Sequence, residues 1–158
     1  MKFPRTVRLD LSDQNVFSRA ALPGELAVTG SFAFADLDPE KLSAKGRQAF
    51  RNAWLGLDSF GHATLVEIAE VDERELDRAV ERLAALFVSD FGAPDMPAAL
   101  PVAQDEVSYT ASLCTHETGV LLAIEREVAA EGIRERVYPV APQDPLHGGI
   151  RLWGQDDE

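Results

Sequence analysis

Residues 124–137 have the sequence IEREVAAEGIRERV, which predicts a β-hairpin more specifically than any other stretch of this chain predicts its structure. A turn centred on Ala130 and Glu131 places opposite charges and apolar residues across from each other. The expected pairs are Val128 with Ile133, Glu127 with Arg134, Arg126 with Glu135, Glu125 with Arg136, and Ile124 with Val137. Each opposite-charge pair stabilises a ladder by about 0.2–1 kcal/mol, and a slip of one residue would lose the pairs and reverse the faces. Gly132 can supply the positive φ that a tight turn favours.

Three earlier stretches also predict strands. Residues 25–37, ELAVTGSFAFADL, alternate apolar with small or polar residues, which predicts one long strand. The residues on its apolar face are Leu26, Val28, Phe32 and Phe34. Gly30 within this strand indicates a bulge or a close approach of backbone. Residues 3–9 and 59–70 predict two further strands.

The first helix is predicted from its start signal. Asp38, Pro39 and Glu40 combine a capping acid, a proline at the first helical position and an acid at the positive end of the helix. We expect this helix to run to about Trp54 and to stop at Gly56.

Two more helices are expected before the hairpin. Asp72 and Glu75 have the spacing of a capping box, with an acid in place of the usual serine or threonine. The apolar stripe that follows consists of Leu76, Val80, Leu83, Ala84 and Phe87. A third helix is predicted over about 98–114.

These elements predict an α+β fold. Their order is β-β-α-β-α-α-β-β, which favours a mixed or mainly antiparallel sheet of about five strands with helices packed on one face. Residues 1–140 are expected to form a single domain, and residues 141–158, which are rich in proline and glycine, are expected to form a C-terminal tail.

Charge and composition exclude several classes of function. The net charge of −12 repels phosphate backbones and anionic lipid, so no nucleic-acid partner and no membrane are expected. No apolar run approaches the roughly 20 residues that span a bilayer. The first ten residues, MKFPRTVRLD, lack the apolar core of a signal peptide, and a lone cysteine cannot form an internal disulfide. We therefore expect a soluble cytoplasmic protein.

The best candidate for chemistry is the segment SLCTHETG, residues 112–119, where Cys114 and His116 lie two positions apart. In extended backbone these side chains share a face, and an imidazolium would favour the nucleophilic, metal-binding thiolate. His62, in FGHATLVEI, is a third candidate base or ligand. A catalytic zinc site needs three protein ligands and a structural site four, so the pattern is incomplete. We predict no cofactor.

Two surfaces are candidates for binding. Ile150, Leu152 and Trp153 lie on the glycine-rich tail and could add to the sheet edge of a partner or anchor in its pocket. The face formed by Arg134, Arg136 and Tyr138 could clamp an anion, although glutamates across the ladder would neutralise these arginines.

Several segments together resemble a family of small uncharacterised proteobacterial proteins, known only as a domain of unknown function. These segments are FPRTVRLDLSD, SFAFADLDPEKL, LDSFGHATLVEI, FGAPD and SLCTHETGVLLAIERE. The resemblance covers about residues 3–140 and leaves the tail outside it. It carries over no catalytic residue. It implies an accessory or assembly role beside redox enzymes, including iron–sulfur and ligase-like proteins.

Three functions are therefore expected, in order of preference. The first is a non-catalytic accessory or interaction protein that supports redox-enzyme assembly, with a protein partner or self-association through a sheet edge. The second is a small enzyme or metal-binding protein that uses the Cys–His pair. The third is a small-ligand-binding domain with a pocket between sheet and helices near Trp54 and His62.

Overall fold

A computed structural model describes residues 1–7, 17–35 and 37–141 of the chain. Within these described residues, seven strands and three α-helices follow one another in the order β-β-α-β-β-β-α-α-β-β. The strands are β1 (Lys2–Val7), β2 (Ala27–Val28), β3 (Trp54–Gly56), β4 (His62–Ala63), β5 (Leu65–Glu70), β6 (Leu121–Ala129) and β7 (Gly132–Val140). The helices are α1 (Ala44–Asn52), α2 (Glu73–Asp90) and α3 (Met96–Ser112). Short 3₁₀ helices span Ser31–Phe34 and Pro39–Lys41.

The strands form two antiparallel sheets. The larger has the order β1-β5-β6-β7, and the smaller has the order β2-β3-β4. The α+β class and the antiparallel character are confirmed. The prediction of a single sheet of about five strands is corrected to a sheet of four and a sheet of three, because β3 and β4 form where a helix end and one long strand were expected.

The long strand predicted over residues 25–37 is wrong. Only Ala27 and Val28 are strand, and the chain then turns at Gly30, which has φ 82° and precedes a 3₁₀ helix. A Cβ placed on Gly30 would lie 2.8 Å from the Cβ of Leu55, so the predicted close approach does occur. The alternating aromatics serve two separate clusters: Phe32 packs edge-on to Phe87, and Phe34 packs edge-on to Phe50.

The first predicted helix starts later and ends earlier than expected. Asp38 accepts a hydrogen bond from the backbone N–H of Glu40, but this start produces only a 3₁₀ helix. The α-helix begins after Ser43, whose Oγ accepts from the N–H of Gly46 at 3.0 Å. Trp54 lies in β3 and not in a helix.

Gly56 is a strand residue and not a helix stop. A Cβ at this position would lie 2.2 Å from Oε1 of the buried Glu25, so the glycine makes room for that carboxylate. The carboxylate is a tertiary neighbour, 31 positions away in the chain, and no local pattern indicates it.

The second strand predicted over 59–70 is divided between the two sheets. His62 and Ala63 pair with β3, whereas Leu65–Glu70 pair with β1 and β6. Phe60 stands just before the division with φ 56°, a conformation that bulky residues rarely adopt. The division explains why His62 does not share the environment of Val66 and Ile68.

The remaining helices agree with their capping signals. Asp72 caps α2 by accepting from the N–H of Glu75 at 2.8 Å, and the predicted apolar stripe is buried. The third helix is shifted by two residues because Asp95 caps it through the N–H of Ala98. Cys114 consequently lies beyond the end of α3.

The hairpin register is confirmed pair by pair. Val128 lies opposite Ile133, and the three charge pairs and the Ile124–Val137 pair follow as expected. Gly132 has φ 122° at the turn, in agreement with its expected role.

The apolar core has three parts. One cluster lies between α2, α3 and the smaller sheet; it includes Val28, Leu55 and Leu83. A second lies between the two sheets, where Trp54 meets Ile68 and Leu122. The third joins α1 to Phe17 and Phe34. In the described residues, no helix is both long and apolar enough to cross a membrane.

Candidate functional site

The predicted thiol, Cys114, is buried in the apolar cluster between the sheets. Its Sγ contacts the carbonyl oxygen of Thr110 at 3.8 Å. Burial raises the pKa of Cys114 to about 11, and the nearby Lys2 opposes this only in part. The thiol is therefore protonated at neutral pH, which makes it a poor nucleophile and a poor metal ligand.

The side chain of His116 is exposed, and its backbone makes a hydrogen bond to a distant part of the chain. Its carbonyl oxygen accepts a hydrogen bond from Nζ of Lys2 at 2.9 Å. No hydrogen bond connects the side chains of Cys114 and His116 in the described part of the chain. Across those same residues, no group of three or more His, Cys, Asp or Glu side chains is placed to hold a metal ion.

His62 has a separate set of neighbours. Its ring lies 5.8 Å from that of Phe17 and 6.3 Å from that of Phe34, and its backbone bonds to residues 19 and 21. Burial, and secondarily the charge of Arg126, lower the pKa of His62 from 6.5 to about 4. The imidazole is neutral at pH 7 and lies among aromatic rings.

The buried neutral His62 predicts an acid-sensitive fold. The unfolded chain takes up a proton on His62 near pH 6.5, whereas the folded chain does so only near pH 4. The contribution of His62 to stability is therefore fully present above pH 6.5 and is lost as the pH falls toward 4. We expect this residue to lower the free energy of unfolding by about 2 kcal/mol between pH 7 and pH 5.

Urea unfolding of the wild type and of His62→Gln at both pH values measures this effect. For each protein, the change in the free energy of unfolding between pH 7 and pH 5 is determined. The difference between these two changes isolates the effect of His62 from that of other titrating groups, such as Glu106. An identical pH dependence in the two proteins would contradict the assignment.

The predicted binding residues of the tail, Ile150, Leu152 and Trp153, lie outside the described residues, and their role stays a prediction. The pocket expected near His62 and the Trp54 side chain likewise stays a prediction. This side chain is fully buried, and its Nε1 is the one buried side-chain polar atom in the described residues without a hydrogen-bond partner.

The densest cluster of polar side chains centres on Arg126 in β6. This side chain is completely buried. Nη1 donates to the carbonyl oxygens of Phe50 and Ala53, each at 2.9 Å, and Nη2 donates to the carbonyl of Thr29. The last carbonyls of a helix have no intrahelical partner and attract cations, so Arg126 caps the C-terminus of α1. Burial lowers the pKa of Arg126 to about 10, which leaves it charged at neutral pH.

Glu135 in β7 completes this buried cluster. Its carboxylate lies 3.8 Å from Nε of Arg126 and accepts hydrogen bonds from the hydroxyls of Ser31 and Tyr109. The Tyr109 contact is 2.5 Å long. Burial and the adjacent carboxylate raise the pKa of Tyr109, so its hydroxyl remains a donor. The cluster thus ties β7 to α3 and to the 3₁₀ helix after β2.

Glu106 extends the cluster on α3. It accepts from Oγ1 of Thr29 at 3.3 Å, and burial raises its pKa. Each of these groups is engaged: Glu106 accepts from Thr29, Glu135 accepts from Ser31 and Tyr109, and Arg126 donates to backbone carbonyls. This arrangement supports the hairpin and activates none of these groups as a nucleophile.

The sequence contains a signal for this cluster. Arg126 and Glu135 form the middle one of the three predicted charge pairs in the hairpin. Side chains alternate between faces along a strand, so the middle pair must point opposite to its two neighbours. The outer pairs are exposed, whereas in the middle pair Arg126 is fully buried and Glu135 is largely covered.

Beyond the cluster, β7 has a free backbone edge. In the described part of the chain, its one strand neighbour is β6. Ala129 and Gly132 close the turn as a hydrogen-bonded pair, and every second pair after them, such as Glu127 with Arg134, is also hydrogen-bonded. The N–H and C=O groups of the residues between, Ile133, Glu135 and Val137, therefore point away from β6. A hydrogen bond from the N–H of Ile68 to the carbonyl of Val120 is consistent with this orientation. It shows that the backbone groups of even-numbered residues in β6 point toward β5, so those of the odd-numbered residues point toward β7.

The opposite edge of the sheet is partly covered. Arg5 in β1 bridges to Leu26, and the N–H of Thr6 donates to the carbonyl of Glu25 at 2.8 Å. The free edge of β7 is nine residues long, and Pro139 at its far end lacks an N–H that would point outward. This edge is the best candidate for an interaction site.

Comparison with known proteins gives one match. The model of a family of unknown function, DUF6505, matches residues 1–154, so the similarity extends beyond residue 140 into the tail. No curated protein and no solved structure matches the chain. Since the match covers nearly the whole chain, this protein belongs to the DUF6505 family of unknown function.

Proposed function

We propose that this protein is a non-catalytic interaction protein that binds an extended segment of a partner at the free edge of β7. The observation that carries the proposal is the set of outward N–H and C=O groups on Ile133, Glu135 and Val137. Addition of a strand to such an edge gives affinity through main-chain hydrogen bonds. Support of redox-enzyme assembly, which the family resemblance implies, is the role we propose for this binding.

The buried cluster favours binding at this edge because it preorganises the edge. Glu135 has its backbone at the free edge and its side chain held by Ser31, Tyr109 and Arg126. A strand that is already straight and fixed loses less conformational entropy when a partner binds.

Val137→Pro tests the edge directly. The N–H of Val137 points away from β6, so proline removes a donor to the partner while it leaves the hairpin hydrogen bonds in place. We expect the affinity for the partner to fall roughly tenfold or more, through the lost hydrogen bond and the steric effect of the ring. Partners would be recovered by co-purification from the native host and their affinities measured with purified proteins.

Val128→Thr is the matched control. Val128 lies in the same hairpin and is 61% exposed, but its backbone belongs to the inner strand β6. This variant should bind as the wild type does. Amide hydrogen exchange at Arg134 and Arg136 would verify that the hairpin persists in both variants. Recovery of no partner above background, or of one that Val137→Pro binds equally well, would refute the proposal.

A further inference from the structure

We infer that the β7 edge rejects a second copy of this chain and accepts a foreign strand with acidic residues opposite Arg134 and Arg136. This inference rests on the proposed function, since it specifies the partner of the same edge. It follows from the positions of the charges on β7 and from the direction in which each backbone group points.

Self-pairing is restricted by backbone direction. In an antiparallel pair, residues whose backbone groups point toward the partner lie opposite residues of the same kind. Ile133, Glu135 and Val137 of one copy can therefore lie opposite only these positions, or other odd-numbered ones, of a second copy.

Each two-fold register that uses most of this edge places like charges together. Centring on Glu135 sets Glu135 against itself and Arg134 against Arg136. Centring on Arg134 or on Arg136 sets that arginine against its own copy. Like charges directly opposite destabilise a ladder.

The remaining registers lose hydrogen bonds; centring on Tyr138, for example, places Pro139 opposite Val137. Centring on Val137 places Pro139 opposite Glu135, and the proline has no N–H to donate. Centring on Ile133 pairs only the few residues next to the turn at Gly132. Charged side chains and proline are the usual protections of natural edge strands against self-pairing.

A foreign strand with alternating acids meets the opposite situation. Arg134 and Arg136 are exposed and already face Glu127 and Glu125 on the β6 side. Arg134 also pairs with Glu131 in the turn at 2.9 Å, so Arg136, with one acidic partner in the described residues, is the stronger of the two positions for an added acid. An acid on the partner strand would place a negative charge on the other side of each arginine, so that negative, positive and negative side chains alternate across the three strands. It would lie about 5 Å from the arginine but about 10 Å from the glutamate beyond, which is close to the screening length of physiological salt. The attraction therefore exceeds the repulsion.

The other face of the partner strand is also specified. Ile133 and Val137 are half-buried at the margins of two apolar clusters, so apolar residues fit opposite them. The side chain of Glu135 turns inward to Tyr109, and a small polar residue such as threonine fits opposite it.

Two synthetic peptides test the charge specificity. The probe TTVETEVTT places glutamates opposite Arg134 and Arg136, and TTVKTKVTT places lysines there. We expect the acidic peptide to bind roughly 2-fold to 30-fold more tightly, from two cross-strand pairs. The net charge of −12 predicts the reverse order for non-specific attraction, so the comparison separates the two effects.

The readouts are peptide affinity by titration and amide chemical shifts of Ile133, Glu135 and Val137. The double variant Arg134→Gln with Arg136→Gln should bring the two affinities to within about twofold of each other. Equal affinities for the wild type, with shifts at these amides, would overturn the charge specificity but leave the edge as a binding site. Tighter binding of the lysine peptide would overturn the specificity too. No shift with either peptide would overturn both the specificity and the proposed edge site.

Sedimentation of the full chain tests the rejection of a second copy. We expect no dimer that depends on β7. A dimer that Val137→Pro dissociates and Val128→Thr does not would overturn this half of the inference.

Discussion

Arg126→Met should lower the free energy of unfolding by about 3–5 kcal/mol, because it removes one partner from a buried ion pair and its hydrogen bonds. The carbonyl oxygens of Thr29, Phe50 and Ala53 would lose their donor, and Glu135 would lose its buried counter-charge. Native domains are stable by only about 5–15 kcal/mol, so this loss is a large fraction of the total. Chemical denaturation monitored by circular dichroism measures the change.

Arg136→Met is the matched control for this experiment. Arg136 belongs to the same hairpin and pairs with Glu125 at 2.5 Å, but its side chain is 64% exposed. Exposed pairs contribute little, so we expect a far smaller change than for Arg126→Met. If both arginines prove equally dispensable, Arg126 is not the buried anchor of the hairpin that its contacts indicate.

Glu25→Ala should have the second largest effect and lower the free energy of unfolding by about 3 kcal/mol. The Glu25 carboxylate accepts from the backbone N–H groups of Leu22, Asp58 and Ser59 and from the Ser59 hydroxyl, at 2.7–2.9 Å. It connects the segment before β2 to the loop after β3. Each buried donor left without an acceptor costs about 1–3 kcal/mol. Water can reach part of this site, so rehydration of the donors offsets part of their total cost.

The shift of the denaturation midpoint measures this loss, with Glu81→Ala as the control. Glu81 is exposed on α2, and its replacement should change stability by no more than about 0.5 kcal/mol. Glu25→Gln should fall between the two, because the amide keeps one acceptor oxygen and adds a donor. A Glu25→Ala protein as stable as Glu81→Ala would show that the carboxylate is not required for the loop.

Local patterns sufficed where both partners of an interaction are close in sequence. The hairpin register followed from charges within residues 124–137, because cross-strand pairs next to a tight turn are set by the turn itself. The start of α2 followed from Asp72 and Glu75, which lie within one helical turn. In both cases the confirming contacts are short-range.

Local patterns failed where the chain reaches a tertiary neighbour. The alternation over residues 25–37 is genuine, but Gly30 lets the chain pack closely on Leu55 and leave the sheet. Gly56 suggested a helix stop, whereas it accommodates Glu25 from the segment before β2. The surroundings of the candidate site could not be predicted for a similar reason, since the burial of Cys114 and of His62 depends on which elements cover them.

By itself the sequence determined the α+β class, the helix after Asp72, the approximate place of the next helix, the register of β6 with β7, and the charge pattern on which the proposed edge specificity rests. These features depend on contacts between residues that are close in the chain and need no knowledge of strand order. Only the tertiary structure decided that there are two sheets, that Arg126 lies on the covered face of the hairpin with backbone carbonyls around it, and that β7 lies at an edge. Those outcomes depend on which distant segments pack together, a choice made by burial of the whole core that no single stretch of residues encodes.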